Sequence, residues 1–207
     1  MILAGCASLL PSAAGLSRFK KLSPAMKAYA LLCALSSLEI AAEFSCALYR
    51  RNGIIISNIA LGTEAFFILA VYAIAFRMKA VRYMMVALGV LFLIVWVPGS
   101  FLLRAFSEFH QEMAIVTRIV ILVSSVIALY TVAARTSVSL TDEPLFWITS
   151  GNILYATGLI FLLTVNNDLL AFGPPYFAAA WNLNWVLIII ADALFAKGLL
   201  CKATTLT

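Results

Sequence analysis

Six long, predominantly apolar blocks, at about 26–49, 53–76, 82–103, 112–134, 144–166 and 176–200, decide what this chain can fold into. Each is long enough to carry a helix across a hydrocarbon core of about 30 Å at about 1.5 Å per residue. A soluble domain has no use for them. Of 207 residues, 64% are hydrophobic and 11% charged, against about 45–50% and about 25% in ordinary globular proteins. The boundaries hold charge or helix breakers: Arg50 to Gly53, Arg77 to Arg82, Ser107 to Glu112, Arg135 to Pro144, and Asn166 to Pro175. Connections this short make neighbouring helices antiparallel. The expected fold is an all-α, polytopic transmembrane helical bundle, a single domain over residues 1–207.

The first 16 residues add a seventh, short helix. They are apolar apart from Ser8 and Ser12, contain Pro11, and are followed by Arg18, Lys20 and Lys21. No basic residue precedes them, so the pattern is not that of a cleaved secretory signal. The lipoprotein-like tetrad Leu3, Ala4, Gly5, Cys6 has no apolar region ahead of it and is read as coincidence. An upstream start codon would lengthen this helix.

Lys and Arg accumulate on the cytoplasmic side of short loops. Seven spans with the N-terminus outside and the C-terminus cytoplasmic put Arg18, Lys20, Lys21, Lys27, Arg77, Lys79, Arg82, Arg135, Lys197 and Lys202 inside. Only Arg50, Arg51 and Arg104 then lie in outer loops. The formal charge of +5 thus follows from topology and adhesion to anionic lipid. No loop carries a basic stripe with interleaved aromatics, so nucleic acid is not an expected partner.

Ionisable side chains inside such spans cost about 2.5 to 17 kcal/mol and mark function by default. Glu39 and Glu43 lie one turn apart in the second span, Glu64 in the third, and Arg118 in the fifth. Given the orientation, Glu39 and Glu64 fall near the midplane and Glu43 and Arg118 in the outer half. Asn152 and Tyr155 are central in the sixth span, while Asn182 and Asn184 occupy the outer half of the seventh, which also carries Asp192. Two readings stand side by side. In one, a carboxyl of the Glu39 and Glu43 pair is ionised against Arg118 while the other is kept protonated, forming a binding pocket. In the other, these acids, with Glu64 and Arg118, only clamp the helices. The asparagines suit interhelical hydrogen bonding as well as ligand contact.

Catalytic signatures are missing from the sequence: there is no His-rich cluster, GxSxG elbow or paired Asp motif. Cys6, Cys33, Cys46 and Cys201 have no CxxC spacing and read as packing residues. His110, between Glu108 and Glu112, reads as a solvated interface histidine without enough donors for a metal. Trp147 and Trp181 with Trp185 read as interface anchors. Lys197 lies five residues after Asp192, off the one-turn spacing of a retinal lysine with its counter-ion, and near the inner end, where it snorkels. The chain is expected to be neither an enzyme nor a holder of a cofactor or metal.

The run Glu143, Pro144, Leu145, Phe146, Trp147, Ile148 with Gly151, Tyr155, Gly158, Leu159 and Phe161 resembles the sixth-helix signature of a bacterial family of seven-helix membrane proteins. Leu10, Pro11 with Gly15, Leu16, Arg18, Phe19, Lys20, Lys21 and Leu22 resembles its first loop, and Leu194, Phe195 and Ala196 with Gly198 and Leu199 its close. At Asp192, relatives tend to carry Asn. The family's heptahelical unit occurs alone, or joined to or encoded beside histidine kinases. The resemblance implies a multi-pass protein of the bacterial inner membrane with a sensory or signalling role and a separate histidine kinase or other membrane subunit as partner. It assigns no site residue. The expected function is a non-enzymatic sensor with a polar pocket in the outer half of the bundle. The alternative is a small solute or proton-coupled transporter.

Overall fold

The structure, a computed structural model, describes residues 2–101, 110–134 and 139–201. Arg104, Ser107, Glu108, Arg135 and Lys202, placed in loops or the tail above, lie outside the described residues. The helices are α1 (Ile2–Ala7), α2 (Leu9–Ser17), α3 (Pro24–Leu48), α4 (Ile54–Ala75), α5 (Lys79–Phe101), α6 (Gln111–Ala133), α7 (Pro144–Phe172) and α8 (Pro174–Leu200). Six of them, α3 to α8, are long and apolar enough to cross a membrane. No strand occurs among the described residues.

The N-terminal segment is helical but broken into α1 and α2 at Ser8. Pro11 explains the break: it has no N–H to give to the carbonyl of Ala7 four residues earlier, and its ring crowds that carbonyl. The Ser8 hydroxyl donates to Gly5 O at 2.8 Å, turning the chain at that point. A second difference concerns residues 166–175, expected as a loop. Here α7 runs on to Phe172, because Asn166, Asp168, Leu169 and Leu170 continue a helix without strain. The stop comes only at Gly173, where φ is +111°, a conformation costly for any residue with a Cβ. Pro174 then starts α8 at its first turn.

Helix directions follow from paired residues. Ser57 meets Glu43 and Thr63 meets Glu39, so α3 and α4 are antiparallel. Glu64 meets Arg118 and Tyr72 meets Ser125, so α4 and α6 run the same way. In α7, Gly151 packs on Phe195 and Gly158 on Leu187, so α7 and α8 are antiparallel. The helices pack in a ring, α2 on α3, α3 on α4, α4 on α6, α6 on α7, α7 on α8 and α8 back on α2, with α5 set outside against α4 and α6. The N-terminal segment thus fills the gap between α3 and α8. Ser12 fastens it there, donating to Cys33 O at 2.8 Å and sharing a hydrogen bond with Ser37 at 2.7 Å.

This arrangement gathers Arg18, Lys20, Lys21, Lys27, Arg77, Lys79, Arg82 and Lys197 at one end. The Arg18 guanidinium donates to the carbonyl of Leu200, which fixes the α2–α3 connection beside the end of α8. Arg50 and Arg51 lie at the opposite end. Large apolar side chains such as Leu38, Leu91, Ile94 and Phe161 are more than half exposed on the outside. Water would not tolerate so continuous an apolar surface, whereas lipid does.

Candidate functional site

Four polar groupings sit inside this apolar shell. The first joins α4, α6 and α7. Arg118 Nη1 lies 2.6 Å from Glu64 Oε1, with the two side chains 6% and 19% exposed. The guanidinium carbon is 4.6 Å from the centroid of the Tyr155 ring, a favourable cation–π placement. Arg118 is therefore neutralised on one side and stacked on the other. Position in α6 makes this contact available: Thr117, Arg118, Ile121, Ser124 and Ser125 fall on its buried face.

One tier nearer the basic end, the same three helices are joined again. Asn152 Nδ2 donates to Tyr72 Oη at 2.9 Å, and that hydroxyl shares a 2.9 Å hydrogen bond with Ser125 Oγ. All three residues are buried. Sequence reasoning singled out Asn152 but missed Tyr72 and Ser125. A lone hydroxyl in an apolar block carries little signal, and only the spacing from Glu64 to Tyr72 and from Arg118 to Ser125, each about two helical turns, could have exposed the repeat.

The third grouping corrects an expectation. Neither Glu39 nor Glu43 pairs with Arg118. Glu43 accepts from Ser57 Oγ at 2.5 Å and Glu39 from Thr63 Oγ1 at 3.3 Å, all along the seam between α3 and α4. Both carboxylates are partly exposed on that seam rather than enclosed. The cause is the angular step of about 100° per residue along a helix: Thr63 turns to α3 while Glu64, the next residue, turns to α6 and takes the arginine.

The fourth lies on α8. Asn184 and Asp192 are buried, and Asn184 Oδ1, Asp192 Oδ2 and Trp181 Nε1 have no hydrogen-bond partner. Asn182 is exposed on the outside of the same helix, so it does not join the interior set. The expected single outer pocket is thus distributed: Glu64, Arg118 and Tyr155 come together, Asn152 belongs to the next tier, and Asn184 and Asp192 line α8.

Residues set aside in the sequence behave variously. His110 is 2% exposed with Nε2 unpartnered, so it is buried and not solvated. It immediately precedes α6, and its main-chain carbonyl accepts a hydrogen bond from Ala114 N–H. Lys197 Nζ lies 5.7 Å from the Trp147 ring centroid at the basic end. Of the cysteines only Cys33 is buried, and all four are free. Among the described residues no group of three His, Cys, Asp or Glu side chains is placed to hold a metal ion.

Fold and site together define a multi-pass helical membrane protein with a polar interior. No protein-family model, curated protein or solved structure matches the chain.

Proposed function

We propose that the chain is a non-enzymatic, seven-helix sensor or signalling subunit of the bacterial inner membrane, N-terminus outside and C-terminus cytoplasmic. A ligand, lipid or proton acting on the polar interior biases the packing of α4, α6 and α7, and the basic, cytoplasmic end passes the change to a separate histidine kinase or other membrane subunit. The observation that carries this reading is the Glu64–Arg118 pair beneath Tyr155, which makes three helices share one electrostatic contact. A stimulus shifts such an equilibrium only through differential affinity for the two packings, and moving a buried charge pair supplies a large difference. The seven-span topology is supported by the basic residues gathered at one end and by α2 closing the ring. Single replacement of Glu39, Glu43 and Glu64 by Gln tests the proposal: altered signalling in at least the Glu64 variant is expected. Unchanged signalling and unchanged thermal stability in all three would overturn it.

A second reading, a small solute or proton-coupled transporter, is favoured by one observation, the unpartnered Asp192 carboxylate oxygen on α8. Uptake into proteoliposomes that is lost on Glu64→Gln would place transport above sensing.

A further inference from the structure

Asp192 differs from Glu39, Glu43 and Glu64. Glu64 has Arg118, Glu39 has Thr63 and Glu43 has Ser57. Asp192 is 8% exposed, and its Oδ2 accepts no hydrogen bond. The groups around it offer no cation. From α3 come Tyr29 and Cys33 and from α7 Tyr155, all within electrostatic reach of its carboxyl. Glu64 on α4 stands beyond Tyr155, already matched by Arg118. The packed helix α2 has no ionisable side chain, and the one ionisable group of α1, Cys6, is exposed. On α8 itself Lys197 is turned to Trp147. With Glu64 and Arg118 cancelling, an ionised Asp192 would be a net charge in the bundle with nothing opposite it. A carboxylate in that position neutralises by taking up a proton.

We infer that Asp192 is a proton-binding site of this protein. Its ligand is a proton delivered by hydronium: one O–H bond of hydronium breaks and releases water as an O–H bond forms on the carboxylate oxygen, and the side-chain charge goes from −1 to 0. A second feature extends the site along α8. Trp181, Asn184 and Asp192 lie within about 80° of arc on one face of α8 and span about 16 Å along it. Each has a polar atom without a partner. Buried polar atoms of this kind are usually satisfied by water, so this strip of α8 is where water would enter when Asp192 ionises. Ionisation forces a structural response: a Cβ added to Gly198 would meet Pro144 O at 2.9 Å, and Gly151 is packed on the Phe195 ring, so α8 has no slack towards α7. The charged carboxylate is accommodated only by movement of α8 or entry of water. The inference holds whether the protein senses or transports.

The sequence has three aspartates, Asp142, Asp168 and Asp192, so carboxyl-13C aspartate labelling of the full chain in lipid nanodiscs yields three side-chain resonances. Asp142 and Asp168 are exposed and are broadened by a water-soluble paramagnetic reagent, which leaves Asp192 assigned without mutation. The expected result at neutral pH is a protected resonance at the carboxylic-acid position that moves to the carboxylate position as pH rises. Asp192→Asn should remove that signal, and Glu64→Gln should retain it. A protected resonance already at the carboxylate position at neutral pH, or an acid signal that persists in Asp192→Asn, would overturn the inference.

Discussion

Arg118 on α6 and Glu64 on α4 form a 2.6 Å ion pair in the interior of the bundle, with the Tyr155 ring of α7 covering the guanidinium. Burying either charge alone is far more costly than burying the pair, because the survivor has no counter-charge and little water. Removing one partner of a buried pair costs about 3–5 kcal/mol, while exchanging both for apolar residues of similar volume is often neutral or stabilising. Glu64→Gln and Arg118→Met should each lower thermal stability in detergent by that order, and Glu64→Leu with Arg118→Met should recover most of the loss. Equal losses in the single and double variants would show that shape, not charge, holds this contact.

Tyr72 bridges Ser125 and Asn152 through one hydroxyl. Deleting it with Tyr72→Phe leaves the Asn152 amide without its acceptor, at a cost of about 1–3 kcal/mol for an unsatisfied buried group. Adding Asn152→Ala should cost less than the sum of the two changes. A double-mutant cycle on unfolding in mixed micelles measures the coupling, and additive losses would contradict the bond.

Gly151 lets the Phe195 ring of α8 lie against the α7 backbone, since an added Cβ would meet the ring directly. Gly151→Ala should destabilise by about 1–3 kcal/mol through overpacking. Phe195→Leu in the same chain should relieve part of that loss. If Gly151→Ala is as stable as the parent by thermal unfolding, α7 and α8 do not pack as closely as described.

Glu143 immediately precedes α7 at the basic end and is buried; burial first, and the neighbouring Asp142 second, raise its pKa above the ordinary carboxylate value. A group with a raised folded-state pKa binds its proton more tightly when folded, so it contributes stability below its unfolded pKa. That contribution is lost as pH rises through the folded value. Unfolding temperature should therefore fall from mildly acidic towards neutral pH, and Glu143→Gln should flatten that part of the profile. A profile unchanged by the substitution would remove Glu143 as its cause.

The spans were legible in the sequence because long apolar runs are a strong, local signal, and Arg50, Arg77, Lys79 and Gly173 mark their ends. The extent of α7 was not, because Asn166 and Asp168 mark a change in polarity and not a break in the backbone. Pro11 announced trouble in the first helix, though only the packing of α2 between α3 and α8 shows what the segment does. For the site, the residue types were legible and their partners were not. Glu39, Glu43 and Glu64 are equivalent to the eye, and the choice of Glu64 for Arg118 depends on which side of α4 faces α6. Tyr72 and Ser125 gave no warning, because hydroxyls in an apolar block look like packing residues until two of them meet.

The central claim, that the Glu64–Arg118 charges serve signalling and not only architecture, is tested most directly with the folded double variant Glu64→Leu, Arg118→Met. Wild type and variant are purified from gently solubilised native membranes, and phosphorylation of the co-purifying kinase is measured for each. The account predicts a kinase bound to both, with phosphorylation set by the wild-type chain and no longer set by the variant. A kinase equally controlled by both, or no kinase with the wild type, would contradict it.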